Sequence, residues 1–192
     1  MRSATSLLFV VSISFALNAS AQHTASPTDT FQQRVNEYVA LHRRLEAPLP
    51  PEIVTFDIVY LLRARLALAT AIRTARQDAR QGDIFSPAIA RHFRKLVADE
   101  FSENPHIDML ALVEDENTVH LPARVNGDYP AGRSISMMPP CLLRALPPLP
   151  PELRYEFVGR DLILWDVHAG LIVDFVSEAI PQHARRPGRG KL

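Results

Sequence analysis

The stretch Leu153–Val176, LRYEFVGRDLILWDVHAGLIVDFV, has the most regular pattern in the chain. Its period is two. Leu153, Tyr155 and Phe157 share one face of an extended segment, because successive side chains of a strand alternate sides. Val158-Gly159-Arg160-Asp161 then reads as a turn, with Gly159 free to take positive φ. Leu162 to Trp165 and Val167 are apolar on both faces, which predicts the middle strand of a sheet. His168-Ala169-Gly170 is a second turn. Leu171, Val173 and Phe175 line one face of a third strand, with Asp174 on the other. The expectation is a three-stranded antiparallel meander. Its free edge calls for a partner, and TVHLPARVN (118–126) is the nearest extended segment.

Upstream the period changes to that of helices. In TASPTDTFQQRVNEYVALHRRLEAPLPPE (24–52), Phe31, Val35, Tyr38, Val39 and Leu45 lie on one helical face. Ser26 or Thr28 can cap this helix, Pro27 suits its first turn, and Pro48, Pro50 and Pro51 end it. A second helix is predicted over Phe56–Gln81, with Gly82 as its C′ residue. Its first half is apolar almost all round, which predicts a central place in the packing. A third helix starts at Ser86 as N-cap with Pro87 at N1. Ile89, Phe93, Leu96, Val97 and Phe101 form its apolar stripe. HIDMLALVEDEN (106–117) predicts a short fourth helix, and PPCLLRAL (139–146) another short one before PPLPPE. The fold class is therefore α+β: N-terminal helices packed on a small antiparallel meander. The helical part runs over about 28–116 and the β part over about 117–180. PLPPE occurs at 48–52 and again at 148–152, each time where a helical pattern stops, so it punctuates the chain and does not mark a repeat.

The first residues, MRSATSLLFVVSISFALNASAQ, read as a secretory signal peptide over 1–21. Arg2 is the positive end, Leu7 to Ala16 the apolar run, and Ala19-Ser20-Ala21 the cleavage site. That predicts a periplasmic or secreted protein with one domain over 22–182, which has enough residues for a substantial core. No later stretch is apolar for long enough to form a membrane helix. The 21 basic and 21 acidic residues balance, but Arg185, Arg186, Arg189 and Lys191 crowd the tail at 183–192, which reads as disordered. An acidic body with a short basic tail excludes a nucleic-acid footprint. With one cysteine there is no internal disulfide. Cys141 reads as a small buried hydrophobe.

LPPLPPELRYEFVGRDLILWDVHAGLIVDFV (146–176), together with ARQGDIF (79–85) and MMPP (137–140), resembles segments of exported bacterial proteins of unknown function. That resemblance implies location and a single fold, not an activity. The meander alone, through its aromatic hairpin and Gly170-Leu171-Ile172, is similar in style to periplasmic nickel and cobalt homeostasis proteins, which implies metal binding.

Familiar catalytic motifs are missing. There is no G-x-S-x-G elbow, H-E-x-x-H, P-loop or G-x-G-x-x-G in the sequence. The seven histidines are scattered, so a metal site has to be assembled from distant segments. Asp166 and His168, alternate residues at the second turn, form the smaller candidate group and can meet one ion. His106, Asp108 and His120, around the acidic run Glu114-Asp115-Glu116, form the leading group. Arg73, Arg76 and Arg80, at i, i+3 and i+7, offer an anion-binding stripe, although a solvated face that compensates the dipole at a helix C-terminus is the preferred explanation. The expectation is a non-enzymatic binding or structural module of the bacterial envelope, without a cofactor unless it is a metal ion, and with an envelope protein as partner. The alternatives are a periplasmic metal-binding protein and a hydrolase with an unusual site.

Overall fold

The computed structural model describes residues 26–49, 57–104, 122–129 and 138–181. The expected signal peptide, fourth helix and basic tail lie outside the described residues, as do His106, Asp108, Glu114 to Glu116 and His120.

Helix α1 (Pro27–Glu46) begins with a capping box. The Ser26 hydroxyl accepts from the Asp29 amide at 3.1 Å, and the Asp29 carboxylate accepts from the Ser26 amide at 3.2 Å. Two orphan amide donors are thus satisfied reciprocally, which identifies Ser26, not Thr28, as the cap. Phe31, Val35, Tyr38, Val39 and His42 are its buried residues. Helix α2 (Ile58–Ala75) starts at Asp57, whose carboxylate accepts from the Val59 and Tyr60 amides. Helix α3 (Pro87–Glu103) buries Ile89, Phe93 and Val97 of its predicted stripe together with Ala90, while Leu96 and Phe101 are only partly buried. Ser86 occupies its N-cap position without a side-chain capping bond. The short α4 (Pro140–Ala145) buries Cys141 and Leu142.

Two expectations for α2 fail. The helix stops at Ala75, six residues before Gln81, and the chain then turns repeatedly through residues 76–85. Asp174 organises the end of this segment. Its carboxylate is fully buried and accepts from the amides of Gly82, Ile84, Phe85 and Phe175 at 2.8–3.1 Å. Gly82, at φ +96, belongs to this cradle and is not a helix C′ residue. The first half of α2 is also not central. Ile58, Leu62 and Leu66 are more than half exposed, and only Leu68, Ala69 and Ile72 are buried. Apolar composition shows what a helix could bury, but only tertiary contacts decide what reaches it.

Strands β1 (Leu153–Val158), β2 (Asp161–Asp166) and β3 (Leu171–Val176) form an antiparallel sheet in that order. Both turns hold a positive-φ glycine, Gly159 and Gly170. Leu153, Tyr155, Phe157, Leu162 and Leu164 face the helices, and Val158, Ile163, Trp165 and Ile172 form a second cluster behind. Leu164 pairs with Asp174 but Trp165 pairs with Ile172, so Val173 is an extra residue in β3. This bulge changes the alternation. Val173 stays with the main core while Phe175 joins the rear cluster and Asp174 turns toward the 82–85 loop, against the simple two-residue expectation. Residues 126–129 cover the β3 edge. Asn126 and Tyr129 donate to the carbonyls of Ile172 and Gly170, and Ile172 donates to that of Gly127. The described part of 118–126 thus meets the sheet only at its end.

The helices and sheet meet in an aromatic cluster. Phe31 lies 5.3 Å from Phe85 and 5.0 Å from Phe93 between ring centroids, and Tyr155 closes the group from β1. Each such pair adds about 0.5–1.5 kcal/mol beyond area burial. The cluster sets the N-terminal half of α1 against β1 and α3. The C-terminal half of α1 then passes the β2–β3 turn.

Candidate metal centre

The face of α1 that carries Phe31 and Val35 continues through Tyr38 and His42 to Glu46, at successive four-residue steps from 38. Side chains spaced by four stack on one helical face. Here that face ends against Asp166, the last residue of β2, and His168 in the following turn. The turn is built around Asp166. Its backbone carbonyl accepts from the Gly170 amide at 2.8 Å, and its Oδ1 accepts from the Ala169 amide at 2.8 Å.

Asp166 is completely buried. Its Oδ2 accepts from the Tyr38 hydroxyl at 2.6 Å and lies 2.6 Å from His42 Nδ1. His42 is also completely buried, and its other nitrogen, Nε2, lies 3.2 Å from Glu46 Oε2. Glu46 Oε1 in turn lies 2.9 Å from His168 Nδ1. The two imidazole rings meet edge to face, with centroids 5.3 Å apart. Donor atoms of His42, Glu46 and His168 all fall within 4.8 Å of one another. His42 is buried, whereas Glu46 and His168 are half-buried, so the group is sealed on the protein side and reachable from the other.

The electrostatics follow from this arrangement. Burial by itself pushes the His42 pKa down, but the hydrogen bond and charge of Asp166, reinforced by Glu46, outweigh it and hold the pKa above its ordinary value. This favours the imidazolium form, whose two nitrogens face Asp166 and Glu46. The Tyr38 phenol is pushed far up, first by burial and then by the adjacent Asp166 charge, so it remains a donor. Nearby, Arg43 Nε donates to Glu152 Oε1 at 2.6 Å, tying α1 to the residue just before β1. Burial raises the Glu152 pKa, but the Arg43 bond and charge, a backbone hydrogen bond and the His42 charge together more than reverse this.

Of the residues singled out in the sequence, Asp166 and His168 do come into one cluster, but not as two ligands facing one ion. Both Asp166 oxygens are engaged inside the protein, and His168 is the member that faces Glu46. Their link runs through His42 and Glu46, which sequence reasoning missed. The available signal was His42-x-x-x-Glu46 on a helix, spaced for one face but without a second histidine to draw notice.

The arginines part company. Arg73 donates to the Asn126 carbonyl and to Asp128. Arg76 donates to Asn126 Oδ1 and to the Val173 carbonyl, and its guanidinium lies 5.1 Å from the Tyr38 ring centroid. Burial lowers its pKa, although the surrounding acidic groups oppose the shift. Arg80 lies beyond the end of α2, where its amide donates to Asp83. These side chains fasten α2 to the 126–129 segment and β3, and do not make the single basic stripe that a longer helix would have made. A cleft of about 230 Å³ nearby mixes Arg34 and Arg76 with Glu37 and Asp83, so its charges cancel.

No helix among the described residues is long and apolar enough to cross a membrane. No protein-family model matches the chain, and no curated protein or solved structure matches it significantly.

Proposed function

We propose that this chain is an exported bacterial envelope protein that binds a divalent transition metal through His42 Nε2, a Glu46 carboxylate oxygen and the His168 imidazole. The convergence of these three donors within 4.8 Å carries the reading. Two imidazoles and one carboxylate suit zinc, cobalt, nickel or copper(II) better than calcium or magnesium, which prefer oxygen donors throughout. The signal-like residues 1–21 support export, and the nickel- and cobalt-protein style of the meander agrees with the donor set. This reading takes the metal-binding alternative in preference to the expected binding or structural module.

The test is a titration of the purified protein with zinc, cobalt, nickel and magnesium, followed by melting. At a hundred times its dissociation constant an ion adds about 2.7 kcal/mol. For a chain of this length the corresponding rise in Tm is roughly 5–10 °C. Stoichiometric binding that is lost in Glu46→Gln and His168→Ala is expected. A flat response to all of the transition metals, over a cooperative melt, would reject the metal reading.

A further inference from the structure

Asp166 is the one member of the cluster that touches His42 from behind. Resting on the metal reading above, we infer that Asp166 is a positioning residue: it keeps the proton of His42 on Nδ1, leaving Nε2 as the metal donor. Three observations support this. Asp166 Oδ2 lies 2.6 Å from Nδ1. The carboxylate is fixed from two other directions, by the Tyr38 hydroxyl at 2.6 Å and the Ala169 amide at 2.8 Å. Nε2 points the other way, toward Glu46, on the side where His168 also lies. A histidine that gives one nitrogen to a metal ordinarily donates the other N–H to a carboxylate or carbonyl, which sets its tautomer and ring orientation.

The role rests on a property that an isosteric amide lacks. The carboxylate only accepts, and it does so from Tyr38, His42 and Ala169 together. In Asp166→Asn, an oxygen kept against the Ala169 amide places the NH2 group against His42 Nδ1. Nδ1 must then accept, and the proton moves to Nε2, where it occupies the donor pair the metal needs. The flipped amide instead sets NH2 against the Ala169 N–H and leaves that buried amide without its acceptor. Tyr38→Phe is different: it removes one donor to Asp166 but leaves the carboxylate and its bond to His42.

The experiment measures zinc and cobalt affinity for the wild type, Asp166→Asn and Tyr38→Phe, together with the two-bond 1H–15N spectrum of the zinc-loaded wild type. Asp166→Asn is expected to bind about 10–100-fold more weakly, while Tyr38→Phe, which keeps the carboxylate and its bond to His42, loses less affinity than Asp166→Asn and lowers the melting temperature. The spectrum is expected to show His42 protonated at Nδ1 and ligated at Nε2. Unchanged affinity in Asp166→Asn, or a His42 ligated through Nδ1, would overturn the inference. If Asp166→Asn does not fold, the wild-type spectrum decides alone. A wild type that takes up no transition metal would overturn the metal reading itself, whereas a wild type that binds and an Asp166→Asn variant that binds equally well would overturn only the role of Asp166.

Discussion

Replacing His42 by alanine separates the charge it carries from the space it fills. In the metal-free protein His42 lies between Asp166 and Glu46, and its removal leaves the fully buried Asp166 carboxylate with Tyr38 and the Ala169 amide as its remaining donors. Breaking a buried ion pair from one side costs about 3–5 kcal/mol, because a charge is left without compensation. For a domain of this size each kcal/mol lowers Tm by about 2–4 °C, so a fall of roughly 6–20 °C is expected. The pH dependence is the sharper part. The folded-state pKa of His42 is raised above that of the unfolded chain. The favourable charge is therefore fully present below the unfolded value of about 6.5 and is lost as pH rises through the folded value. Urea denaturation of the wild type and His42→Ala, both in chelator, measures the gap at acidic and alkaline pH. The gap should be widest near pH 6 and narrow upward. A constant gap, or one that widens with pH, would refute the account of His42 as an imidazolium held by two carboxylates.

Two further outcomes test the scaffold around the centre. Asp174→Ala removes the acceptor of the Gly82, Ile84 and Phe85 amides, and each buried donor left unpaired costs about 1–3 kcal/mol; the Ile84 and Phe85 amides should lose hydrogen-exchange protection first, and retained protection would show that the 82–85 loop does not depend on Asp174. Gly170→Ala should cost about 1–2 kcal/mol for the left-handed conformation at φ +69. It should also displace Arg65, whose Nη2 would lie 1.8 Å from the new Cβ. Adding Arg65→Ala should relieve only the steric part, and full recovery of urea stability in the double variant would refute the conformational part.

The sequence by itself determined the elements whose causes are local. Ser26 and Asp29 start α1 through bonds three residues apart, and the glycines at 159 and 170 turn a two-residue period into a meander in the expected order. Apolar spacing likewise marked the buried side of α3. Tertiary structure decided what depends on partners far along the chain. The bulge at Val173 reorders β3 with one residue that no local period reveals, and the amides of 82–85 around Asp174 accompany an early end to α2. The candidate centre is the clearest case. Asp166 and His168 stand out at a polar turn, but His42 and Glu46 reach them from 124 and 122 residues away. A helix fixes which of its side chains share a face. Which turn that face meets is set by the packing of the whole core, here by the Phe31, Phe85, Phe93 and Tyr155 rings that lay α1 across the sheet.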